Sequence, residues 1–308
     1  FLEAASVRLK EPEKSLQHQN WAKLSESILI LADSLYEHDS FALAIKVLDH
    51  TLNCLRFANR SDSISTAAIW TWKAYFHRNL EQYSDVLDAY ETAIRIFETN
   101  KDYQNVQLAY CYNHVAQTYT RRHDYQKADK SLKASIESDV SLKYLLSNYS
   151  QLASNAYWWD SLDLGVTYFK TGMRFFEKNK KVEFDGSALA ALRSAGANIL
   201  IKKGHLGEAA TLTHQAMAYY RQYPDEADNL MRSHTTLAKI FEESDRLQEA
   251  EDNFKQAYRI GSAYYIQRNR KSREMAKLYC EWGDFLIRRE RVSEALGLFQ
   301  QALVHAYP

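Results

Sequence analysis

The sequence is poor in residues that end regular structure, with only 9 Gly and 3 Pro among 308 residues. A β-sandwich or β-barrel needs frequent tight turns, which Gly and Pro most often form. Their scarcity excludes a turn-rich all-β fold. The 3 cysteines, Cys54, Cys111 and Cys280, lie far apart and form no pair motif. No disulfide framework is therefore predicted.

Two further absences concern location and partners. No apolar run approaches the roughly 20 residues that a membrane-spanning helix requires. Unpaired cysteines suit a reducing compartment and predict a cytoplasmic location, although a start at Phe1 leaves an upstream signal peptide open. The 39 Lys and Arg balance the 39 Asp and Glu, whereas non-specific nucleic-acid binding needs a basic excess. An RNA-binding helical repeat is kept as an alternative.

The patterns of common catalytic and cofactor sites are missing as well. None of the 10 His has another His at i+3 or i+4, so no helix face offers a two-His metal clip. No glycine-rich phosphate loop and no serine elbow motif occurs. We therefore predict no enzyme activity, no cofactor and no metal. His114 and His123 flank a predicted turn and are interpreted as surface residues.

What the sequence does have is a spaced repeat of small residues. An anchor residue is followed by a small residue at plus 12, a large one at plus 16 and usually another small one at plus 19. At the first two sites, 13 of the 14 residues are Ala or Gly. The pairs are Ala32 and Ala44, Ala74 and Val86, Ala116 and Ala128, Ala153 and Gly165, Ala197 and Ala209, Ala238 and Ala250, and Gly283 and Ala295.

This spacing is typical of two helices packed closely together. With about 3.6 residues per turn, plus 12, plus 16 and plus 19 share one helical face, and small residues let a neighbouring helix approach. Between each pair lies a turn position, occupied by Asp39, Asp160, Gly204 or Asp245 in four units, where Asp and Gly suit a chain break. Two residues later comes an apolar residue. The repeat therefore predicts seven helical hairpins.

The pattern resembles the tetratricopeptide (TPR) repeat, whose Leu-Gly, Tyr, Ala and Phe signature has the same offsets. The resemblance implies an all-α fold, a right-handed superhelix (α-solenoid) of seven TPR-like hairpins. The anchors lie 42, 42, 37, 44, 41 and 45 residues apart, against about 34 in the family. No unit carries the family's Pro near the end of its second helix. Such lengthened units are similar to those of kinesin light chains and of bacterial regulatory TPR proteins.

The domain organisation follows from the repeat. Residues 1–24 are predicted to form a helical or frayed arm, and residues 25–308 a single solenoid. The predicted repeats span about 25–58, 67–100, 109–142, 146–179, 190–223, 231–264 and 276–308. The fourth repeat carries Gly165 and Gly172 where others have Ala, which indicates either close packing or a flex point. Aromatic residues such as Trp72 and Tyr110 are interpreted as core residues.

The TPR resemblance implies a concave groove lined by the first helices. In that family, residues three before the anchor and one, four and five after it face the groove. Asn and Gln side chains both donate and accept hydrogen bonds and can grip a peptide backbone, while Arg and Lys select carboxylates. We hypothesise a groove that prefers acidic or C-terminal segments; the alternative is a solvated surface that binds nothing. The candidate residues are Arg78, Asn79, Asn113, Gln117, Arg121, Ser150, Tyr157, Asn198, Lys202 and Lys239.

A narrower resemblance concerns the last residues. The stretch from Glu294 to Pro308 is similar to the final repeat before the caspase-like CHAT domain of some bacterial proteins. This resemblance implies a sensor or docking arm of a larger bacterial protein. The function predicted from the sequence is therefore a non-enzymatic scaffold that binds a protein or peptide. The alternative is a receptor for a small peptide signal in a bacterial regulator.

Overall fold

A computed structural model describes residues 21–100, 106–138, 144–179, 184–265 and 272–306, with the backbone alone for 21–26 and 306. These ranges contain fourteen α-helices and no strand. The all-α prediction is confirmed, and residues 1–20 of the predicted arm lie outside the described residues. The helices are α1 Trp21–Glu37, α2 Phe41–Phe57, α3 Ile64–Asn79, α4 Tyr83–Thr99, α5 Val106–Arg121, α6 Tyr125–Ser138, α7 Leu145–Trp158, α8 Leu162–Lys178, α9 Gly186–Lys202, α10 Leu206–Tyr220, α11 Ala227–Glu243, α12 Leu247–Tyr264, α13 Arg273–Ile287 and α14 Val292–Ala306.

Consecutive helices pair into seven hairpins, from hairpin 1 (α1 and α2) to hairpin 7 (α13 and α14). Every anchor residue lies in the first helix of its hairpin and every plus-12 residue in the second. All fourteen are buried, and Ala238 and Ala250, for example, have no solvent exposure. Small side chains at these sites let the two helices approach closely. The prediction of seven hairpins is confirmed.

The break between the two helices of a hairpin is made by the backbone. One residue in each break has a positive φ, from 52° at Asp39 to 77° at Gly204. In the first hairpin the Asp39 N–H donates to the Tyr36 carbonyl at 3.0 Å, and the Ser40 N–H donates to the Leu35 carbonyl at 2.9 Å. This pair of bonds is the Schellman motif, which satisfies the last carbonyls of a helix. It recurs in all seven hairpins.

The apolar residues predicted to follow the turns begin the second helices. They are Phe41, Tyr83, Tyr125, Leu162, Leu206, Leu247 and Val292. Two of the positive-φ residues, Glu81 and Glu290, are not of the types that the left-handed region favours. At these two positions the residue type carries no turn signal, and the backbone bonds of the hairpin hold the conformation.

The chain divides into two compact units, Phe1–Asn148 (unit 1) and Tyr149–Pro308 (unit 2). In unit 1, the fully buried Leu48 and Phe76 belong to the core of hairpins 1 and 2, and Tyr90 belongs to that of hairpins 2 and 3. In unit 2, Phe254 and Phe285 lie in the core of hairpins 6 and 7. Whether residues 25–308 form a single solenoid stays a prediction.

The glycines of α8 are sites of close approach. A Cβ atom at Gly165 would lie 2.8 Å from Ile199 Cδ1, and one at Gly172 would lie 2.8 Å from Leu192 Cδ2. The ends of the Ile199 and Leu192 side chains would have to move to admit a Cβ atom. At Gly172 the added atom would also lie 2.9 Å from Tyr149 Cβ on α7, which has less freedom to move, so α8 packs closely against its neighbours here. The close-packing interpretation of both glycines is confirmed, and the flex point stays a prediction.

The first helices of successive hairpins contact one another within each unit: α1 with α3 in unit 1, and α9 with α11 and α11 with α13 in unit 2. The second helix of one hairpin also contacts the first helix of the next, as in α2 with α3 and α12 with α13. This packing places polar and aromatic side chains of neighbouring first helices beside one another. The candidate sites lie there.

Candidate functional site

Unit 1 contains an aromatic pocket of about 370 Å³ on its first helices. The pocket is formed by α1, α3, the start of α5 and the residue before α7. Its lining residues are Leu29, Asp33, Tyr36, Ala68, Thr71, Trp72, Tyr75, Val106, Gln107, Tyr110 and Tyr144. None of the ten candidate residues is among them, although the offsets implied by the TPR resemblance place Tyr75, one after the anchor Ala74, in the groove.

The missed residues nevertheless follow the repeat. Leu29, Asp33 and Tyr36 lie three before, one after and four after the anchor Ala32. The offsets implied by the TPR resemblance, applied to the first hairpin, would have found them. Trp72 packs partly against the core, as predicted, and also lines the pocket.

The rings of the pocket lie in contact with one another. Tyr36 and Tyr75 have centroids 5.3 Å apart, Trp72 and Tyr75 5.9 Å, and Tyr110 and Tyr144 6.3 Å. Burial raises the pKa of the Tyr75 phenol, and raises the pKa of Tyr110 to about 12. Both are therefore neutral at physiological pH.

Arg78, a predicted site residue, lies beside this pocket and is already bound. Its Nη1 donates to His114 Nδ1 at 2.8 Å, and its guanidinium lies 4.6 Å from the Tyr75 ring centroid. The His114 ring packs on Tyr110, with centroids 4.1 Å apart. Burial and the nearby Arg78 charge lower the pKa of His114 to about 3, so the imidazole is neutral. The surface interpretation of His114 is wrong, because neighbouring helices cover it; His123 is exposed, as predicted.

Asn113 lies in a buried hydrogen-bond network. It is 5% exposed, and its Nδ2 donates to Asn148 Oδ1 at 2.6 Å. Asn148 Nδ2 in turn donates to Ser135 Oγ at 2.9 Å, and Ser135 Oγ donates to the Ala109 carbonyl at 2.7 Å. Gln117 Nε2 donates to Asn113 Oδ1 at 2.7 Å. The Asn113 amide thus joins α5 to the start of α7. Within this network the Asn113 amide is buried, and the Gln117 amide is partly exposed.

The other predicted residues of unit 1 lie at the end of their helices. Asn79 is exposed, and its Nδ2 donates to the Tyr75 carbonyl one turn earlier at 2.8 Å. Arg121 is exposed and has no ion-pair or hydrogen-bond partner among the side chains that the structure describes. Arg121 is therefore the predicted cation of unit 1 that remains open to a ligand.

Unit 2 contains a polar trough made of two adjoining pockets of about 260 and 100 Å³. The two pockets share Asn198, Arg232 and Thr236, so they lie side by side along α7, α9, α11 and α13. Its remaining lining residues are Ser150, Ser154, Tyr157, Trp158, Ala191, Ser194, Ala195, Thr213, Tyr220, Asn229, Met231, Ser233, Thr235, Lys239, Glu274, Lys277, Leu278 and Glu281.

Four of the predicted residues line this trough. They are Ser150, Tyr157, Asn198 and Lys239. Asn198 is half-buried at the junction of the two pockets, and its amide has no hydrogen-bond partner within the described part of the chain. The structure therefore brings together, within unit 2, residues that the sequence placed on three different repeats.

Two of the three cations of the trough are ion-paired, and the third, Lys277, lies over the Trp158 ring with its Nζ 5.9 Å from the centroid. Lys239 Nζ lies 2.8 Å from Glu281 Oε1, and Arg232 Nε lies 3.5 Å from Glu274 Oε2. The predicted Lys202 lies outside the lining. Its Nζ is 3.4 Å from Asp160 Oδ1, and it also lies over the Tyr157 ring, 4.4 Å from the centroid.

The fold is similar to those of several solved structures. The apo form of RapI superposes with a TM-score of 0.69 at 13% identity, over 92% of this chain and 97% of that one. A tetratricopeptide repeat protein from Parabacteroides merdae gives 0.66 at 12% identity, over 92% and 93%. The chain has the TPR fold. A putative kinesin light chain from Podosopora anserina gives 0.52 at 16% identity, over 63% of this chain and 93% of that one.

No family model and no curated protein matched the sequence. The resemblance of residues 294–308 to the repeat before a CHAT domain therefore stays a prediction. At such low identities the TPR fold is shared, whereas the ligand has to be argued from the site. Among the helices described, none combines the length and apolarity needed to cross a bilayer.

Proposed function

We propose that this chain is a non-enzymatic protein-interaction scaffold that binds an extended peptide or protein segment in the polar trough of unit 2. The observation that carries the proposal is the Asn198 amide. It lies between two pockets, and its donor and acceptor are both unused by the described residues.

An extended segment suits these groups. Each residue of such a segment carries one backbone N–H and one C=O that need partners when buried. The Asn198 amide supplies both a donor and an acceptor. Thr236 donates its hydroxyl proton to the Arg232 carbonyl of its own helix, which leaves its oxygen as an acceptor facing the trough. The Ser194 hydroxyl donates to the Ala190 carbonyl and lies 3.4 Å from the Tyr220 hydroxyl. Recognition therefore depends mainly on the ligand backbone.

Selection for acidic or C-terminal segments depends on whether the lysines can exchange partners. The Lys202 pair is long, at 3.4 Å, and the Asp160 side chain is 84% exposed. Such exposed pairs contribute little, typically about 0–1 kcal/mol, so an incoming carboxylate can replace Asp160. The tighter pair of Lys239 with Glu281 resists replacement. We propose a modest preference for acidic segments, exerted through Lys202.

A docking arm of a larger bacterial protein and a receptor for a small peptide signal would both use this trough. They differ in the ligand, which is a segment of a folded protein in the first case and a free short peptide in the second. We favour the scaffold because the Asn198 amide and the hydroxyls of the trough suit the backbone of an extended segment.

The test starts from a library of random peptides selected on the full chain. The affinity of the best binder is then measured by fluorescence anisotropy. Asn198→Ala is expected to weaken binding about five- to tenfold, because a hydrogen bond is worth roughly 1 kcal/mol and an unpaired amide in the complex costs more. The matched control is Gln215→Ala, an exposed amide on α10 outside the trough, which should leave the affinity unchanged.

A second arm tests the mode of recognition. N-methylation of single backbone amides of the peptide should weaken binding more than alanine substitution of most of its side chains. Failure to select any binder, or equal affinities of the wild type and Asn198→Ala, would contradict the proposal.

A further inference from the structure

The aromatic pocket of unit 1 plays no part in peptide binding by the trough, so it requires its own explanation. We propose that this pocket binds an arginine side chain of a partner protein, with the guanidinium between the Asp33 carboxylate and the aromatic rings. The proposal rests on the proposed function only in that the partner is a protein. It concerns different residues and a different unit.

The charge of the pocket favours a cation. Asp33 is the one charged side chain among the described residues that line it. The carboxylate is exposed and has no ion pair or hydrogen bond with any described residue. A guanidinium can therefore bind Asp33 without displacing an existing partner, whereas an acidic side chain would meet a like charge.

The rings add a second attraction for a cation. Five aromatic side chains line the pocket, and a cation within about 6 Å of a ring centroid is attracted by the ring face. They are Tyr36, Trp72, Tyr75, Tyr110 and Tyr144. The chain already forms this interaction once beside the pocket, where Arg78 lies over Tyr75 at 4.6 Å.

The position of Arg78 indicates where the ligand cation binds. Because Arg78 covers Tyr75, a second guanidinium is expected nearer to Tyr36. Tyr36 and Asp33 lie three residues apart on α1 and so share a face of the helix. Tyr36 is 38% exposed, which leaves its ring accessible to a ligand.

Arginine fits this site better than the other candidates. Its planar guanidinium binds a carboxylate through two parallel hydrogen bonds and also stacks on rings, while the ammonium of lysine is a strongly hydrated point charge. Its aliphatic stem can pack on apolar walls such as Leu29 and Val106. A phenylalanine could fill the space but would desolvate Asp33 without a partner.

The experiment uses the full chain and the blocked peptide acetyl-Ala-Arg-Ala-amide, with affinities measured by calorimetry. The comparison peptides replace arginine by citrulline, which has nearly the same shape but no charge, or by lysine, phenylalanine or glutamate. The arginine peptide should bind about tenfold more tightly than the citrulline peptide, in line with a charge-assisted contact. The lysine peptide should lie between them.

Two variants locate the binding site. Asp33→Asn should lower the affinity for the arginine peptide about five- to tenfold and leave the affinity for the citrulline peptide unchanged. Tyr36→Leu should weaken the arginine peptide severalfold by removing one ring. Asp62→Asn, an exposed aspartate of the same unit outside the pocket, is the matched control and should have no effect.

Several outcomes would overturn the proposal: equal affinity for the arginine and citrulline peptides, tighter binding of the phenylalanine peptide, no effect of Asp33→Asn, or no binding by the wild type up to the solubility limit. Asn198→Ala should not change binding of the arginine peptide. The two proposals can therefore fail separately, because loss of trough binding leaves this assay intact and the reverse also holds.

Discussion

At the scale of single residues, His114 shows how burial decides charge. Its pKa in the folded chain is lowered to about 3, mainly by burial and then by Arg78. In the unfolded chain an imidazole has a pKa of about 6.5. At a pH between these two pKa values, the His114 imidazole binds a proton in the unfolded chain and not in the folded chain. The free energy of unfolding therefore falls as the pH drops from about 6.5 towards 3.

We predict that His114→Gln makes stability less sensitive to acid. Between pH 7 and pH 4, the wild type should lose roughly 2–3 kcal/mol more of its free energy of unfolding than this variant. Urea denaturation followed by circular dichroism at several pH values measures the difference. His205→Gln, at an exposed position, should show the wild-type slope. Parallel pH profiles for the wild type and His114→Gln would show that folding does not lower the pKa of the imidazole.

Single residues also show the limit of prediction from the sequence. The small residues of the hairpins were predicted, because their spacing states which face of a helix they occupy. The burial of Asn113 and His114 was not, since it depends on how closely the next first helix covers that face. Spacing within one helix carries no information on that distance.

At the scale of the helical hairpin, the residue type at the turn determines the conformational free energy of the left-handed backbone there. For a residue other than Gly, the left-handed region is unfavourable by roughly 1–2 kcal/mol. Glu290, with φ of 61°, bears this cost, and Gly204, with φ of 77°, avoids it. The difference predicts opposite effects of substitution at the two positions.

We predict that Glu290→Gly stabilises the chain by about 0.5–1 kcal/mol and that Gly204→Ala destabilises it by about 1 kcal/mol. Thermal and urea unfolding measure both. Glu290→Ala is the control, because it removes the same side chain without freeing the backbone, and it should bring no gain. A Glu290→Gly variant no more stable than Glu290→Ala would mean that the turn is not strained.

The helices were largely predictable for a physical reason. The two helices of a hairpin are neighbours in the chain, so their contacts leave a regular pattern in the sequence. That pattern consists of the anchors, the plus-12 residues and the apolar residues after each turn. At Glu81 and Glu290 the residue type carries no turn signal, so those turns follow only from the spacing of the repeat. The backbone bonds that hold them do not depend on the side chain.

At the scale of the whole molecule, the described helix contacts run within a hairpin or between neighbouring hairpins of a unit. In such an array, the effects of distant substitutions should add. We predict that Ala44→Leu and Ala128→Leu each destabilise the chain by about 1–3 kcal/mol through overpacking. The loss in free energy of unfolding of the double variant should equal the sum of the two single losses to within about 0.5 kcal/mol.

The control for additivity is a pair in direct contact. Asn113→Ala and Asn148→Ala remove the two ends of one hydrogen bond, so their combined effect should differ from the sum by about 0.5–3 kcal/mol. Free energies from urea titrations of the four single and two double variants measure both cycles. A large coupling between the two distant alanines would show that strain spreads beyond neighbouring hairpins.

Because backbone hydrogen bonds close the turns of the hairpins, the residue type at the turn is weakly constrained. Four kinds of residue, Asp, Glu, His and Gly, occupy the same bend in different copies, and each copy keeps its shape. The bend itself therefore accepts residues of different size and charge, provided that the backbone bonds of the turn can form. In such chains the spacing of the small residues carries more information about common fold than the identity of the residues between them, as the 12–16% identities to solved TPR structures illustrate.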